Sequence, residues 1–393
     1  MKLRRLLSAP LLAAPFRPFF LLGVPFGIGA MVAAFFVGDV AVHGHALRHG
    51  HEMIFGFAGA IVSGVVLTAL PTWAGTAEIK GGRLLFLVAL WLAGRFVMLP
   101  GMPAGGLALL ADCALFPAMA AMLAPQLLGV RNKWYLLALP GLLGLAIANL
   151  LFHLAADAQG AVVGLKLAVY VLMVFYLLKS GVFIPVFISN VLLERGRGAP
   201  LERHLVLELA SAGLLAALAA ADLTQAGAAW VGGLGLLACL CNAVRLLRWR
   251  GWRAWDEPVV TAMQLGIFFL VAALGMRAGA ALSPAVPAAA WLHVFTVGGL
   301  GMCMIALMTR IVLKHTGRPL RLPPAIRLAY LLMLAAALAR VAWGLQPTTQ
   351  WLLPASTLLW IASFAIYLAL FGTMFWKPSL PPLAKPALKS ATV

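Results

Sequence analysis

Twelve mostly apolar stretches follow one another along the chain, each close to the ~20 residues that a helix needs to cross about 30 Å of hydrocarbon. They fall at roughly 18–38, 51–72, 84–100, 104–124, 134–154, 160–190, 204–222, 227–247, 258–280, 288–312, 326–345 and 350–373. Inside lipid every backbone N–H and C=O must find its partner within the protein, which leaves helices or a closed barrel. Runs of this length are helical. The expectation is therefore an all-α, polytopic membrane protein with about 12 transmembrane helices. It forms one transmembrane helical domain over 1–393, with short cytoplasmic tails at roughly 1–17 and 374–393. The sixth stretch is long and holds Pro185, so a kink is expected there.

Composition removes the other classes. The chain is 63% hydrophobic and 10% charged, against about 25% charged residues in a soluble domain. As a soluble globule it would expose large apolar areas and aggregate. A soluble enzyme, a nucleic-acid-binding module and a disordered scaffold are excluded. The net charge of +18, from 29 Lys and Arg against 11 Asp and Glu, then describes topology. With the N-terminus inside, 23 basic residues fall on inner segments and two, Arg48 and Arg277, on outer ones. Four more, Arg95, Lys166, Lys179 and Arg340, lie within spans. This asymmetry puts both termini in the cytoplasm. The segment Met1-Lys2-Leu3-Arg4-Arg5 resembles a signal-peptide start, but Pro10, Pro15 and Pro18 interrupt the apolar run after it, so a retained lead-in is expected. Cys113, Cys239, Cys241 and Cys303 lie in apolar stretches without zinc-site spacing and are read as small core residues.

Histidine is where chemistry concentrates. Of eight histidines, six fall toward the outer face: His43, His45, His49 and His51 around the first outer loop, His153 at the end of the fifth span, and His293 at the start of the tenth. His204 and His315 are inner. Imidazole is the usual protein ligand for haem iron, copper and zinc, and ligands converging from several helices build such sites in bundles. His43-Gly44-His45 and His49-Gly50-His51-Glu52-Met53 can fold onto a metal, so His43, His45, His49, His51 and His293 are candidate metal ligands. A hydrated histidine-rich loop is the plainer alternative for the first two. Glu52 complements a helix N-terminus there, or orients a ligand or donates protons. Met302, Met304 and Met308 are read as packing. Among buried charges, Arg95 with Asp112 is the nearest expected pair, and Asn149 and Glu208 are further polar residues within or beside spans.

Several stretches together resemble the NnrS family of bacterial membrane proteins. They are Phe16-Arg17-Pro18-Phe19-Phe20, His49 through Phe57, Leu67 through Gly75, His293 through Gly298, Met308-Thr309-Arg310, and His315 through Leu320. The resemblance implies a haem- and copper-containing protein of the bacterial inner membrane, linked to nitric oxide, nitrosative stress and denitrification. It implies His51 and His293 as the foremost cofactor ligands, with His49 and His315 in the same motifs, and haem of b type. Two positions depart from the family pattern. Gln264 stands where relatives carry histidine, and Lys179-Ser180-Gly181-Val182-Phe183-Ile184-Pro185 lacks an arginine of the family's Gly-Gly-Arg-x-Ile-Pro.

Three functions fit these residues. The first is a haem/copper protein that binds or converts nitric oxide or another small diatomic ligand, an oxidoreductase if it turns over. The second is a twelve-span transporter for a metal or an anion, with Arg95, Asp112, Lys166 and Arg340 lining a path. The third is a non-catalytic haem-carrying accessory or assembly protein. Nucleic acid is not an expected partner; the lipid bilayer is.

Overall fold

The structure, a computed structural model, describes residues 7–37, 43–102, 105–197, 201–202 and 204–381. Among these residues every regular element is helical and there is no β-strand. Helices α1 (Phe16–Phe36) and α2 (Ala46–Ala74) are followed by α3 (Gly82–Val97) and by α4, a pair of segments (Gly106–Cys113 and Leu115–Leu128) bent by 43°. Then come α5 (Lys133–Leu154), α6 (Ala158–Glu194), α7 (Leu205–Leu223), α8 (Ala228–Arg248), α9 (Pro258–Leu282), α10 (Ala290–His315), α11 (Pro324–Leu345) and α12 (Leu352–Trp376). Ten of these are long and apolar enough to cross a membrane, and eleven if the bent pair is one span. Each of the twelve windows has its helix, but α3 has only 16 residues. At 1.5 Å per residue that is about 24 Å, short of the hydrocarbon thickness. Helix α6 runs unbroken through Pro185.

The protein is a multi-pass helical membrane protein, and its surface says so as clearly as its length. Leu107 is 85% exposed and Val206 81%, whereas Arg17, His51, Asn149, Asn242 and Arg245 are fully buried. Helices adjacent in sequence pack side by side, and α12 returns to lie against α1, closing a ring. Helices α2 and α10 are the most enclosed, with 78% of their apolar windows buried against 28–56% for the other candidate spans.

The Phe16–Phe20 motif fastens that ring. The Arg17 guanidinium donates to the carbonyls of Met374 (3.1 Å), Phe375 (3.0 Å) and Lys377 (2.6 Å) and to Ser379 Oγ (2.9 Å). These carbonyls belong to the last turn of α12, which has no helical partner for them. The Thr316-Gly317-Arg318 motif closes α10 in the same region. Gly317 takes φ +71°, the left-handed conformation that ends helices, and Thr316 O accepts the N–H of Leu380 at 2.9 Å.

Three helices contain widened π-helical turns: Ala33–Val37 in α1, Glu52–Ala58 in α2 and Val294–Gly301 in α10. Each adds residues to a turn and so rotates everything beyond it. The Trp91 indole N–H donates to one of the carbonyls in the second of these turns, that of Gly56, at 3.0 Å.

Candidate functional site

All three π turns border one cavity of about 270 Å³. Phe35 comes from the first, Met53, Ile54 and Phe57 from the second, and Thr296, Val297 and Leu300 from the third. Such turns recur at functional sites because they re-aim side chains without breaking a helix. Two histidines line the cavity, His49 from α2 and His293 from α10. The Nδ1 of His49 is buried and meets no hydrogen-bond partner in the protein, which costs free energy unless something else meets it. Phe35 packs edge-on to its ring at 5.3 Å. Most of the remaining wall is apolar, with Trp360 packed against Phe57 at 5.1 Å. Two cations reach it: Lys166, and Arg340, whose guanidinium lies 4.5 Å over the Trp343 ring.

Two residues after His49, the chain faces different chemistry. Successive positions on a helix turn by about 100°, so residues i and i+2 look roughly 200° apart. His51 is completely buried, and both its ring nitrogens are engaged. Nδ1 lies 2.9 Å from Glu52 Oε1, and Nε2 lies 2.9 Å from Asn149 Oδ1 and 3.1 Å from Asp112 Oδ2. His153 Nε2 approaches the same Asp112 oxygen at 2.8 Å, and Asn149 Nδ2 donates to it at 2.9 Å. Arg95 ties the two carboxylates together, donating to Glu52 Oε1 at 2.7 Å and to Asp112 Oδ1. The network is built by α2, α3, α4 and α5. Asp112 lies buried just before the bend in α4, and Asn149 and His153, four residues apart, share one face of α5. Ligand atoms of His51, Asp112 and His153 lie within 4.8 Å of one another, as a metal ion would require.

The expected pair of Arg95 and Asp112 is therefore present, and Glu208 is held by Arg245. Three expectations change. His43–His51 is helical rather than looped, so the helix begins nine residues before Glu52, and that carboxylate meets Arg95 and His51 instead of a helix N-terminus. The side chains of His43 and His45 lie outside what is described. His293 shares its cavity with His49, whereas His51 is turned into the polar network. His315 ends α10, 22 residues beyond His293 and so about 30 Å away along the helix, beside Phe16. His204 sits at the same far end and is bonded to Arg248.

Of the four charges considered for a transport path, Arg95 and Asp112 are locked together, and Lys166 stands 3.4 Å from Asp222, which Arg277 and Tyr170 also hold. Gln264 lies against Gly251, on the short turn that precedes α9, and does not line the His49 cavity. The meeting of Asp112 with Asn149 and His153 was missed in the sequence; the four-residue spacing of the last two was the available signal.

A family model described as NnrS protein matches residues 10–379 of the chain, which includes every residue of both sites. No curated protein matches it.

Proposed function

The chain belongs to the NnrS family, and we propose that it is a haem- and copper-carrying protein of the bacterial inner membrane that takes up nitric oxide. Under this reading His49 and His293 hold a b-type haem, and His51, Asp112 and His153 hold copper. The observation that carries it is the cavity: two histidines from different helices, one with an unmet buried nitrogen, among apolar walls and beside three π turns.

The donor sets fit these groups. Imidazole suits both metals, and a porphyrin also presents two carboxylates, for which Lys166 and Arg340 are cations of the right sign. In the second site, Glu52 accepts from His51 Nδ1 and so directs Nε2 toward Asp112 and His153, the usual way a carboxylate orients a metal-bound imidazole. When bound, haem and copper supply one-electron redox centres, with the iron able to hold a diatomic molecule.

The protein's own residues would do the rest. The apolar walls admit a small neutral molecule and exclude water. Leu172, Leu300 and Met304 also line a second, almost wholly apolar cavity of about 100 Å³ deeper in the bundle, which extends the volume open to a lipid-soluble gas. His153, with its side chain 16% exposed, is the network's contact with water. The distribution of basic residues supports an orientation with both termini cytoplasmic and this site toward the periplasm.

The test is a visible spectrum with iron and copper analysis of the purified protein. We expect a Soret band that His49→Ala and His293→Ala abolish and His51→Ala preserves, with His51→Ala losing copper instead. A colourless, metal-free wild type would overturn the reading. Anaerobic addition of nitric oxide then separates binding from turnover.

A further inference from the structure

At the opposite end of the bundle a chamber of about 780 Å³ opens among α2, α5, α6, α7 and α10. Three cations line it: Lys179 from α6, and Arg310 and Lys314 from the end of α10. None of the three forms an ion pair among the described residues. Lys179 lies 5.3 Å over Trp73, and the Arg310 guanidinium 3.8 Å over Phe187. The acidic residue in the wall, Glu208, is already engaged by Arg245, whose Nε donates to both its oxygens at 2.8 and 2.9 Å. The wall thus holds three positive charges and no free carboxylate of its own. Lys179 and Arg310 are half-buried and Lys314 is exposed, and cations gathered in one chamber without a carboxylate at ion-pair distance mark a binding site for something of opposite charge.

The rim identifies the kind of anion. Leu205 is 58% exposed, Leu209 49% and Trp134 54%, so the opening between α5, α6 and α7 is bordered by apolar side chains on the lipid-facing surface. Trp134 and Tyr135, at the start of α5, are of the types that settle where hydrocarbon meets headgroups. A ligand entering here comes from the bilayer, carrying a negative head for the cations and chains for the apolar rim. The charge distribution assigns this end to the cytoplasmic leaflet, where acidic lipids supply that head.

We propose that the chamber bounded by Lys179, Arg310 and Lys314 is a binding site for an acidic phospholipid, its phosphate on the three cations and its chains over Leu205 and Leu209. The site is separate from the histidine cavity and does not depend on what that cavity holds.

Native mass spectrometry of the full chain, exchanged into mixed phosphatidylglycerol and phosphatidylcholine, tests this. The wild type should retain phosphatidylglycerol in preference to phosphatidylcholine. Each neutralised cation should weaken retention about fivefold, so Arg310→Gln with Lys314→Gln should lower it about 25-fold, with an unchanged monodisperse elution profile. Leu209→Trp, which leaves every charge in place and obstructs the rim, should also reduce retention and serves if the charge variants do not fold. Equal retention of the two lipids, or undiminished retention in the variants, overturns the proposal. Inorganic phosphate alone matching the thermal stabilisation given by phosphatidylglycerol would also overturn it, in favour of a soluble anion.

Discussion

His49 and His51 are two residues apart on one helix and share no partner. His49 faces a cavity with its Nδ1 unmet, while His51 is fastened at both nitrogens by Glu52, Asn149 and Asp112. The motif His49-Gly50-His51-Glu52 therefore serves two adjacent sites on different faces of α2, and its histidines are separable by substitution.

Glu52→Gln should separate them most gently. The amide keeps the shape but loses the charge that orients and polarises His51. Loss of such a partner typically costs 10–100-fold in metal affinity. Copper affinity measured by chelator competition should fall by about that factor, and the Soret band should not move. Unchanged copper affinity would mean that Glu52 serves only to balance Arg95.

Arg95 holds two buried carboxylates at once. Arg95→Met leaves Glu52 and Asp112 without their cation, and breaking a buried pair in this way costs about 3–5 kcal/mol. Unfolding in detergent should show a loss of that order. The double variant Arg95→Met with Glu52→Gln should recover part of it, since one orphaned charge is then removed. Arg95→Lys should also destabilise, because an ammonium lacks the planar fork that reaches both acids.

The contact of α5 with α6 is tested at Gly164. A Cβ there would lie 2.7 Å from the backbone nitrogen of Phe152 and 2.8 Å from the carbonyl oxygen of Ala148. Backbone atoms cannot swing aside, so Gly164→Ala should push the helices apart, at about 1–3 kcal/mol for an overpacked contact. The displaced stretch of α5 carries Asn149 and His153, so copper should be lost along with stability. Preserved copper with lowered stability would show that His153 is not a ligand.

What could be read beforehand, and what could not, divides along a physical line. The helices were legible because an apolar run of spanning length has few other fates in lipid. The pairing of Arg95 with Asp112 was legible because an unpaired charge there is too costly to keep. The partition of His49 from His51 was not. It depends on which way each ring faces, and three π turns shift the phase of the surrounding helices without leaving a mark in hydrophobic periodicity. The meeting of Asp112 with His153 depends on the bend in α4 and on the rotation of α5, neither of which a single sequence specifies.

Arg17 gives a further measurable expectation. Its hydrogen bonds are charge-assisted, at about 1.5–3 kcal/mol each. Arg17→Ala should therefore free the segment after Trp376, and limited proteolysis should cut there first in the variant and not in the wild type. Equal resistance of the two proteins would show that the segment is held by other contacts.

The same clamp sets an order of assembly. The carbonyl of Lys377 that Arg17 grips is made 360 residues after Arg17 itself. At the ~5–20 residues per second of ribosomal synthesis, the interval is roughly 20–70 s. Throughout it the first helix is in the membrane with its guanidinium unclaimed, and the bundle stays open on one side. Closure, and with it the sealing of the interior, waits for the last turn of α12, so any large group destined for the interior has that interval in which to enter from the side.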